Sequence, residues 1–339
     1  MNASAAIKEM NAGHFRPVYV VYGKDRYRTQ EFVSYLTDKL LMPEERELGI
    51  IKFDTSESAV EHAVLEAETM SFFGGRKLVL VRDQSVFAAA AKEGKLQHDT
   101  ERLLAYLKQP LDSTVMVFIV HSEKLDERRK VVKVLKEADA LIAFQELEGV
   151  ELVRWVLRRV SGQGRTIAEP AAERLIHRMG NNLQTLSQET DKLCLHVGQG
   201  GTIAVEHIDR LTVPTLEEDV FALIDACVSS RIERAVTLYR QLLIRKEEPI
   251  KIAALVARQL RIMLQIKELE QRSYSQQQIA SQIGVHPYAV KLAAEKARGW
   301  TPERLAGHVH GIAELDYKMK TGQIDKELGL ELFFLSMSA

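Results

Sequence analysis

The sequence predicts an α/β module built on a parallel sheet, followed by an all-helical remainder. Two observations predict it. Over the first ~145 residues, short and continuously apolar runs alternate with stretches of helical spacing; after about Glu148 the strand signals stop. A strand that is apolar at every position has both faces covered, and helices packed on both sides of a parallel sheet provide that cover.

The elements follow in order. "PVYVVYG" (Pro17 to Gly23) reads as a first strand, ended by glycine. "DRYRTQEFVSYLTDKLL" has helical spacing through Phe32, Tyr35, Leu36 and Leu40. "LGIIKFD" is a second strand, followed by a helix expected from Ser56 to about Met70. "KLVLVRD" is a third strand and "TVMVFIV" (Thr114 to Val120) a fourth. A charged helix near Arg128 to Lys136 precedes a fifth strand, "LIAFQEL" (Leu141 to Leu147). Helices are then expected at Val150 to Val160, Glu169 to Met179, Leu183 to Val197 and Val205 to Leu211, punctuated by glycines. "TVPTLEED" (Thr212 to Asp219) reads as a boundary, with a proline and an acidic helix start. The rest is helical, most regularly "PIKIAALVARQLRIMLQIKELE", whose Ile252, Leu255, Val256, Leu260, Met263 and Ile266 form an apolar stripe. The expected domains are 1–147, 148–212 and 213–339, without internal repeats or low-complexity tracts.

Composition narrows the function classes. The chain has 339 residues, 46% hydrophobic and 27% charged, with a formal net charge of -1. Such a charge balance sets up no whole-chain field for nucleic acid or membrane, so any such contact needs a local patch. Cys194 and Cys227 fit no metal or redox spacing and read as buried thiols in a reducing compartment. The N-terminus lacks the apolar core of a signal peptide, and no apolar run is long enough to span a bilayer. The expectation is a cytoplasmic protein with no membrane contact.

A sheet module followed by helices invites a nucleotidase reading, which the motifs oppose. A phosphate cradle requires G-x-x-x-x-G-K-[ST]: amides wrap the phosphates, the lysine reaches them, and the hydroxyl holds magnesium. After the first strand the chain reads "YGKDRYRTQE", with the earlier glycine missing and Asp25 in the hydroxyl's place. Gly94-Lys95 is followed by Leu96. The third strand ends in Asp83 alone, a weak magnesium candidate. The histidines form no H-x-x-x-H pair, and His308 and His310 lie two apart on a helical stretch, facing different ways. No catalytic, ATP-binding or metal-binding residue is expected, and no cofactor.

"YSQQQIASQIGVHPYAVKLAAEKARGW" has helix-turn-helix spacing, with Ala280 four before Gly284 and Val290 six after it. Eleven basic against five acidic residues lie between Arg240 and Trp300. The alternative function is therefore a DNA-binding regulator using residues 274–300. Yet the second helix opens His286, Pro287, Tyr288, Ala289, Val290, poor in the Arg, Asn and Gln that read base edges. A hairpin packed in a bundle is preferred, with non-specific phosphate contact left open. The basic face of "LDERRKVVKVLKE" reads as solvated.

One stretch defies the polar-turn rule. "ETMSFFGGRK" places Met70, Phe72 and Phe73 between a helix and a strand, with Gly74 and Gly75 behind them. Consecutive residues on a turn point in different directions, so at least one aromatic is expected outside, where an apolar cluster needs a partner. Burying three such side chains yields roughly 5–9 kcal/mol gross, against about 4–15 kcal/mol for association. The tip thus needs additional contact area around it.

These stretches, together with "PVYVVYGKDRYRTQE", "FIVHSEKLDERRKVVKVLK", "MGNNLQTLSQETDKLCLHVG" and "ARQLRIMLQIKELEQRSYSQQQIASQIGVHPYAVKLAAEKAR", resemble in order and spacing the delta subunit of the bacterial DNA polymerase III clamp loader. The resemblance covers essentially the full length. It implies an AAA+-like α/β domain, a helical lid domain and a helical collar that assembles with other loader subunits. It implies a subunit that binds no ATP and opens the ring-shaped sliding clamp. The family's hydrophobic tip carries over onto Met70, Phe72 and Phe73, with Phe72 where relatives often show leucine. Gln184 stands where ATP-using relatives tend to place arginine, and no Ser-Arg-Cys segment occurs. The partners implied are the sliding clamp (beta), the ATPase subunits tau/gamma, delta-prime, and primed DNA.

Overall fold

In the computed structural model the five apolar runs form one parallel sheet, in the order β2-β3-β4-β1-β5. The structure describes residues 1–70, 75–83, 85–88, 96–285 and 287–338. The strands are β1 (Val18–Tyr22), β2 (Ile50–Asp54), β3 (Lys77–Asp83), β4 (Thr114–Val120) and β5 (Leu141–Ala143). The helices among them are α1 (Ala3–Asn11), α2 (Arg26–Leu40), the one-turn α3 (Arg46–Gly49), α4 (Val60–Glu68), α5 (Thr100–Lys108) and α6 (Lys130–Glu137).

The unbroken apolarity of the strands has a direct explanation. Val18, Val20, Val79, Val81, Met116 and Phe118 face one side, against Val60, Ala63 and Val64 of α4, Leu103 of α5 and Val132 of α6. Their neighbours Tyr19, Val21, Leu78, Val115 and Val117 face the other, against Met10 of α1 and Phe32, Val33 and Leu36 of α2. Alternation along a strand thus fills two cores.

Several expectations are corrected. Three helices, α1, α3 and α5, were not anticipated; α1 and α5 begin at side-chain caps, Asn2 and Asp99, and α3 takes the first two residues of the expected second strand. The helix expected from Ser56 begins only at Val60, because the Asp54 carboxylate accepts from the N–H and hydroxyl of Ser56 and holds a turn. It also stops at Glu68, before Met70. The fifth strand ends at Ala143 rather than Leu147.

The chain divides into two compact units, Met1–Leu147 and Glu148–Ala339. The second holds α7 (Gly149–Gly162), α8 (Glu169–Met179), α9 (Leu183–Val197), α10 (Val205–Leu211), α11 (Leu216–Val228), α12 (Ile232–Ile244), α13 (Pro249–Gln271), α14 (Gln276–Ile283), α15 (Pro287–Lys296), α16 (Pro302–Lys320) and α17 (Lys326–Ser338). It is not wholly helical: β6 (Thr166–Ile167) pairs in parallel with β7 (Thr202–Ile203). Two residues between glycine-rich turns are too few to leave a periodic signal. The stripe on α13 is buried as expected at Ile252, Val256, Leu260, Met263 and Ile266, joined by Ala253 and Leu269, while Leu255 is only partly covered.

Candidate functional site

Of the three residues expected to form the tip, Met70 lies among the described residues, just after the end of α4. The backbone N–H of Thr69 donates to the Glu66 carbonyl at 3.1 Å, closing the last turn. Thr114 at the start of β4 donates its hydroxyl to the Ala67 carbonyl at 3.0 Å, tying that turn to the sheet. Met70 follows and is 90% exposed. An apolar residue so open on a segment so firmly held is available to a partner. Phe72 and Phe73 lie outside the described residues. On the strand side, the Arg76 guanidinium stands 4.9 Å over the Phe15 ring, and Gly75 lies against the Glu45 side chain.

The other end of α4 is also held. The Val60 N–H donates to His98 Nδ1 at 3.3 Å, and His98 Nε2 lies 2.8 Å from Ser85 Oγ. A backbone N–H can only donate, so the imidazole proton sits on Nε2 and points at Ser85. Ser85 therefore meets a donor rather than a base and is not an activated nucleophile. Its hydroxyl passes on to Thr55 Oγ1 at 3.3 Å, and Thr55 donates to Asp83 Oδ1 at 3.2 Å.

Asp83 was the magnesium candidate, and the structure gives it other work. It is buried, and its carboxylate also accepts the backbone N–H groups of Ser85 at 3.1 Å, Val86 at 2.8 Å and Phe87 at 2.8 Å. A carboxylate wrapped by three amides and a hydroxyl caps the turn after β3 and has little capacity left for a cation.

The place of a phosphate cradle, between β1 and α2, is a link of Gly23, Lys24 and Asp25. Gly23 donates to the Val120 carbonyl and Asp25 to the Phe144 carbonyl, at 3.2 and 3.1 Å. Gly23 has φ +138°, and a Cβ there would fall 2.0 Å from the Phe144 oxygen, so only glycine fits. Lys24 is turned to Glu123, 3.0 Å away. The buried Asp25 carboxylate caps α2 through the Arg28 N–H at 3.0 Å and pairs with the Arg28 side chain at 2.5 Å. A helix N-terminus attracts anions, and here the chain's own carboxylate occupies it. A nucleotide phosphate would meet negative charge and amides already engaged. His121, after β4, is exposed, and partial desolvation together with the Arg26 and Arg82 charges pushes it below the ordinary histidine value.

The remaining candidates lie in the second unit. Gln184 is exposed in the first turn of α9. Cys194 and Cys227 are buried and form no disulfide with each other. His308 is half-buried, its ring tilted against Trp300 at 4.7 Å, while His310 is exposed. Among the described residues no group of acidic, histidine and cysteine side chains could hold a metal, and no helix is long and apolar enough to cross a membrane. In the helix-turn-helix look-alike, Gly284 takes the left-handed turn at φ +74°, and Ile279, Ala280, Val290 and Ala293 are buried in the core that includes α13. Tyr288, near the head of the second helix, meets the His177 ring of α8 edge-on at 5.7 Å. This hairpin packs within its own unit at the end that groove docking would need free.

Sequence reasoning named Met70, which is exposed, and the link between β1 and α2, whose polar groups are engaged within the chain. It missed the groups that hold α4, namely Thr114, His98 and Ser85. No local pattern marks them, because each acts on a residue distant in sequence.

Comparisons with known proteins place the chain in a family. Residues 19–145 match the family model "DNA polymerase III, delta subunit", and residues 217–337 match "DNA polymerase III delta subunit, C-terminal domain". The chain is 36% identical over 330 residues to DNA polymerase III subunit delta of Bacillus subtilis, covering 97% of this chain and 95% of that one. It is 22% identical over 279 residues to a probable DNA polymerase III subunit delta of Aquifex aeolicus, covering 81% and 77%. Among solved structures, the Bacillus subtilis DNA clamp loader delta protein superposes with a TM-score of 0.69 at 35% identity, over 99% of both chains.

Proposed function

Because the chain belongs to the DNA polymerase III delta-subunit family, we propose that it is the clamp-loader subunit that grips the sliding clamp and opens the ring without using ATP itself. The observation that carries this reading is Met70, 90% exposed just beyond a helix held at both of its ends. Met70, Phe72 and Phe73 form the clamp-binding tip. They enter an apolar pocket on the clamp near a ring interface, and the contacts around them fit the relaxed protomer better than the closed-ring one. Differential affinity of that kind shifts the ring toward its open state.

The sealed link between β1 and α2 supports a non-catalytic role. Residues 148–212 serve as the lid and 213–339 as the collar, through which the subunit joins tau/gamma and delta-prime in the cytoplasm. ATP bound by those partners gates access of the tip to the clamp, and primed DNA is met within the assembled complex. Surface plasmon resonance with immobilised clamp tests the tip: the double variant Phe72→Ala, Phe73→Ala binds at least a hundredfold more weakly, as expected when two aromatic anchors are truncated, at about 2 kcal/mol or more each. Wild-type affinity in a folded double variant removes the proposal.

A further inference from the structure

The apolar spacing predicts that α4 continues to Met70, yet it ends at Glu68. In a continuing helix the Glu66 carbonyl would accept the Met70 N–H. Here that carbonyl is otherwise engaged. It takes the N–H of Thr69 at 3.1 Å, the Thr69 hydroxyl at 2.8 Å, and the ammonium of Lys77. Lys77 is the first residue of β3, on the far side of the tip, and its side chain is only 3% exposed. Its other contacts are Thr69 Oγ1 at 2.6 Å and Glu66 Oε1 at 3.1 Å. All three ammonium donors thus go to the last turn of α4.

A buried ammonium is costly, and an apolar side chain of like volume would often serve stability as well or better. What an apolar side chain cannot do is bind three oxygens at fixed positions. We propose that Lys77 is a positioning residue for the tip. It straps the first residue of β3 to the residues that end α4, sets where α4 stops, and so presents Met70 outward. The cation also suits the negative end of the helix dipole. The gain lies in preorganisation: a tip held in its binding geometry loses less freedom on docking. This inference rests on the clamp-binding reading above.

The test separates the two. Lys77→Met retains length and removes the donors. A nitroxide on Met70→Cys reports the tip directly, since Cys194 and Cys227 are buried and escape labelling. Expected are an unchanged melting temperature, a narrowed nitroxide spectrum, and clamp affinity lower by about tenfold, the scale of ordering one or two side chains. Thr69→Val, which deletes an acceptor from an exposed position, shifts the spectrum and affinity the same way by less. An unchanged spectrum in Lys77→Met overturns the proposal. So does wild-type clamp affinity in Lys77→Met when the Phe72→Ala, Phe73→Ala variant has lost binding. If that double variant binds normally, the clamp reading fails, and the spectrum alone decides whether Lys77 fixes Met70.

Discussion

The two edges of the parallel sheet differ in what they show the solvent. At the carboxyl edge of the strands, where open α/β sheets usually receive ligands, the chain has closed itself. Asp25 caps α2, Asp83 caps the turn after β3, and Gly23 lies against the Phe144 carbonyl. At the amino edge, usually a place of plain connections, the end of α4 is braced by buried polar groups and followed by an exposed methionine. Polar side chains are internal at one edge and support something external at the other. The lesson is that one sheet can close its polar groups inward at one edge and leave an apolar side chain open at the other. At the carboxyl edge the Gly23 and Asp25 amides and the Asp25 and Asp83 carboxylates are already engaged within the chain.

The largest expected effect tests whether the carboxyl edge is structural. Asp83→Ala strips the acceptor from three backbone amides and the Thr55 hydroxyl. At about 1–3 kcal/mol per buried group left unmade, and with partial relaxation, the loss is about 3–5 kcal/mol. Native-state hydrogen exchange at the β3 and β4 amides measures it in the unit concerned. Asp83→Asn keeps the Oδ1 acceptor and loses markedly less. If Asp83→Ala leaves exchange unchanged, the edge is not held by this carboxylate and the contrast with the amino edge weakens.

Asp25→Ala comes next. A helix cap is worth about 1 kcal/mol, and a charge-assisted partner for Arg28 about 1.5–3 kcal/mol. Some of that pair survives through the bond from Arg28 to the Gln145 carbonyl, so the expected loss is about 2–3 kcal/mol. Calorimetric titration with ATP gives no micromolar binding for the wild type or for this variant, because the Gly23 and Asp25 amides remain bonded to the Val120 and Phe144 carbonyls. A micromolar heat in the wild type would show that the edge still admits nucleotide and would erase the difference between the edges.

What the sequence disclosed follows the same division. Strands β3 and β4 and helices α8, α9 and α10 fall at the residues their spacing marks. Long apolar periods are local properties, and nothing distant overrides them. The broken phosphate loop was also readable, since a cradle needs particular residues at particular spacings. The end of α4 was not. Its stop depends on Lys77 and Thr114, which reach it from β3 and β4. In the sequence Lys77 is only a lysine before a strand, and Asp83 only a lone carboxylate after it. Whether such a group binds a metal, caps a turn or props a helix is decided by neighbours that meet only in three dimensions.

The smallest effect concerns pH, again at the carboxyl edge. Partial desolvation lowers the His121 value, and the Arg26 and Arg82 charges that face it lower it further. The folded chain therefore holds His121 neutral where the unfolded chain would protonate it. Below the ordinary histidine value, about 6.5, the unfolded state binds more protons, so stability declines as pH falls toward the depressed folded value and levels off beneath it. His121→Gln removes this contribution, flattening stability between about pH 6.5 and the lowered value relative to the wild type. Hydrogen exchange at the β4 amides across that window reads the difference. At the amino edge, the Lys77 contacts with Glu66 and Thr69 contain no histidine. The nitroxide spectrum at position 70 should accordingly stay constant over the same pH range. A tip that loosens in step with His121 protonation would mean that the two edges are coupled through the sheet rather than independent.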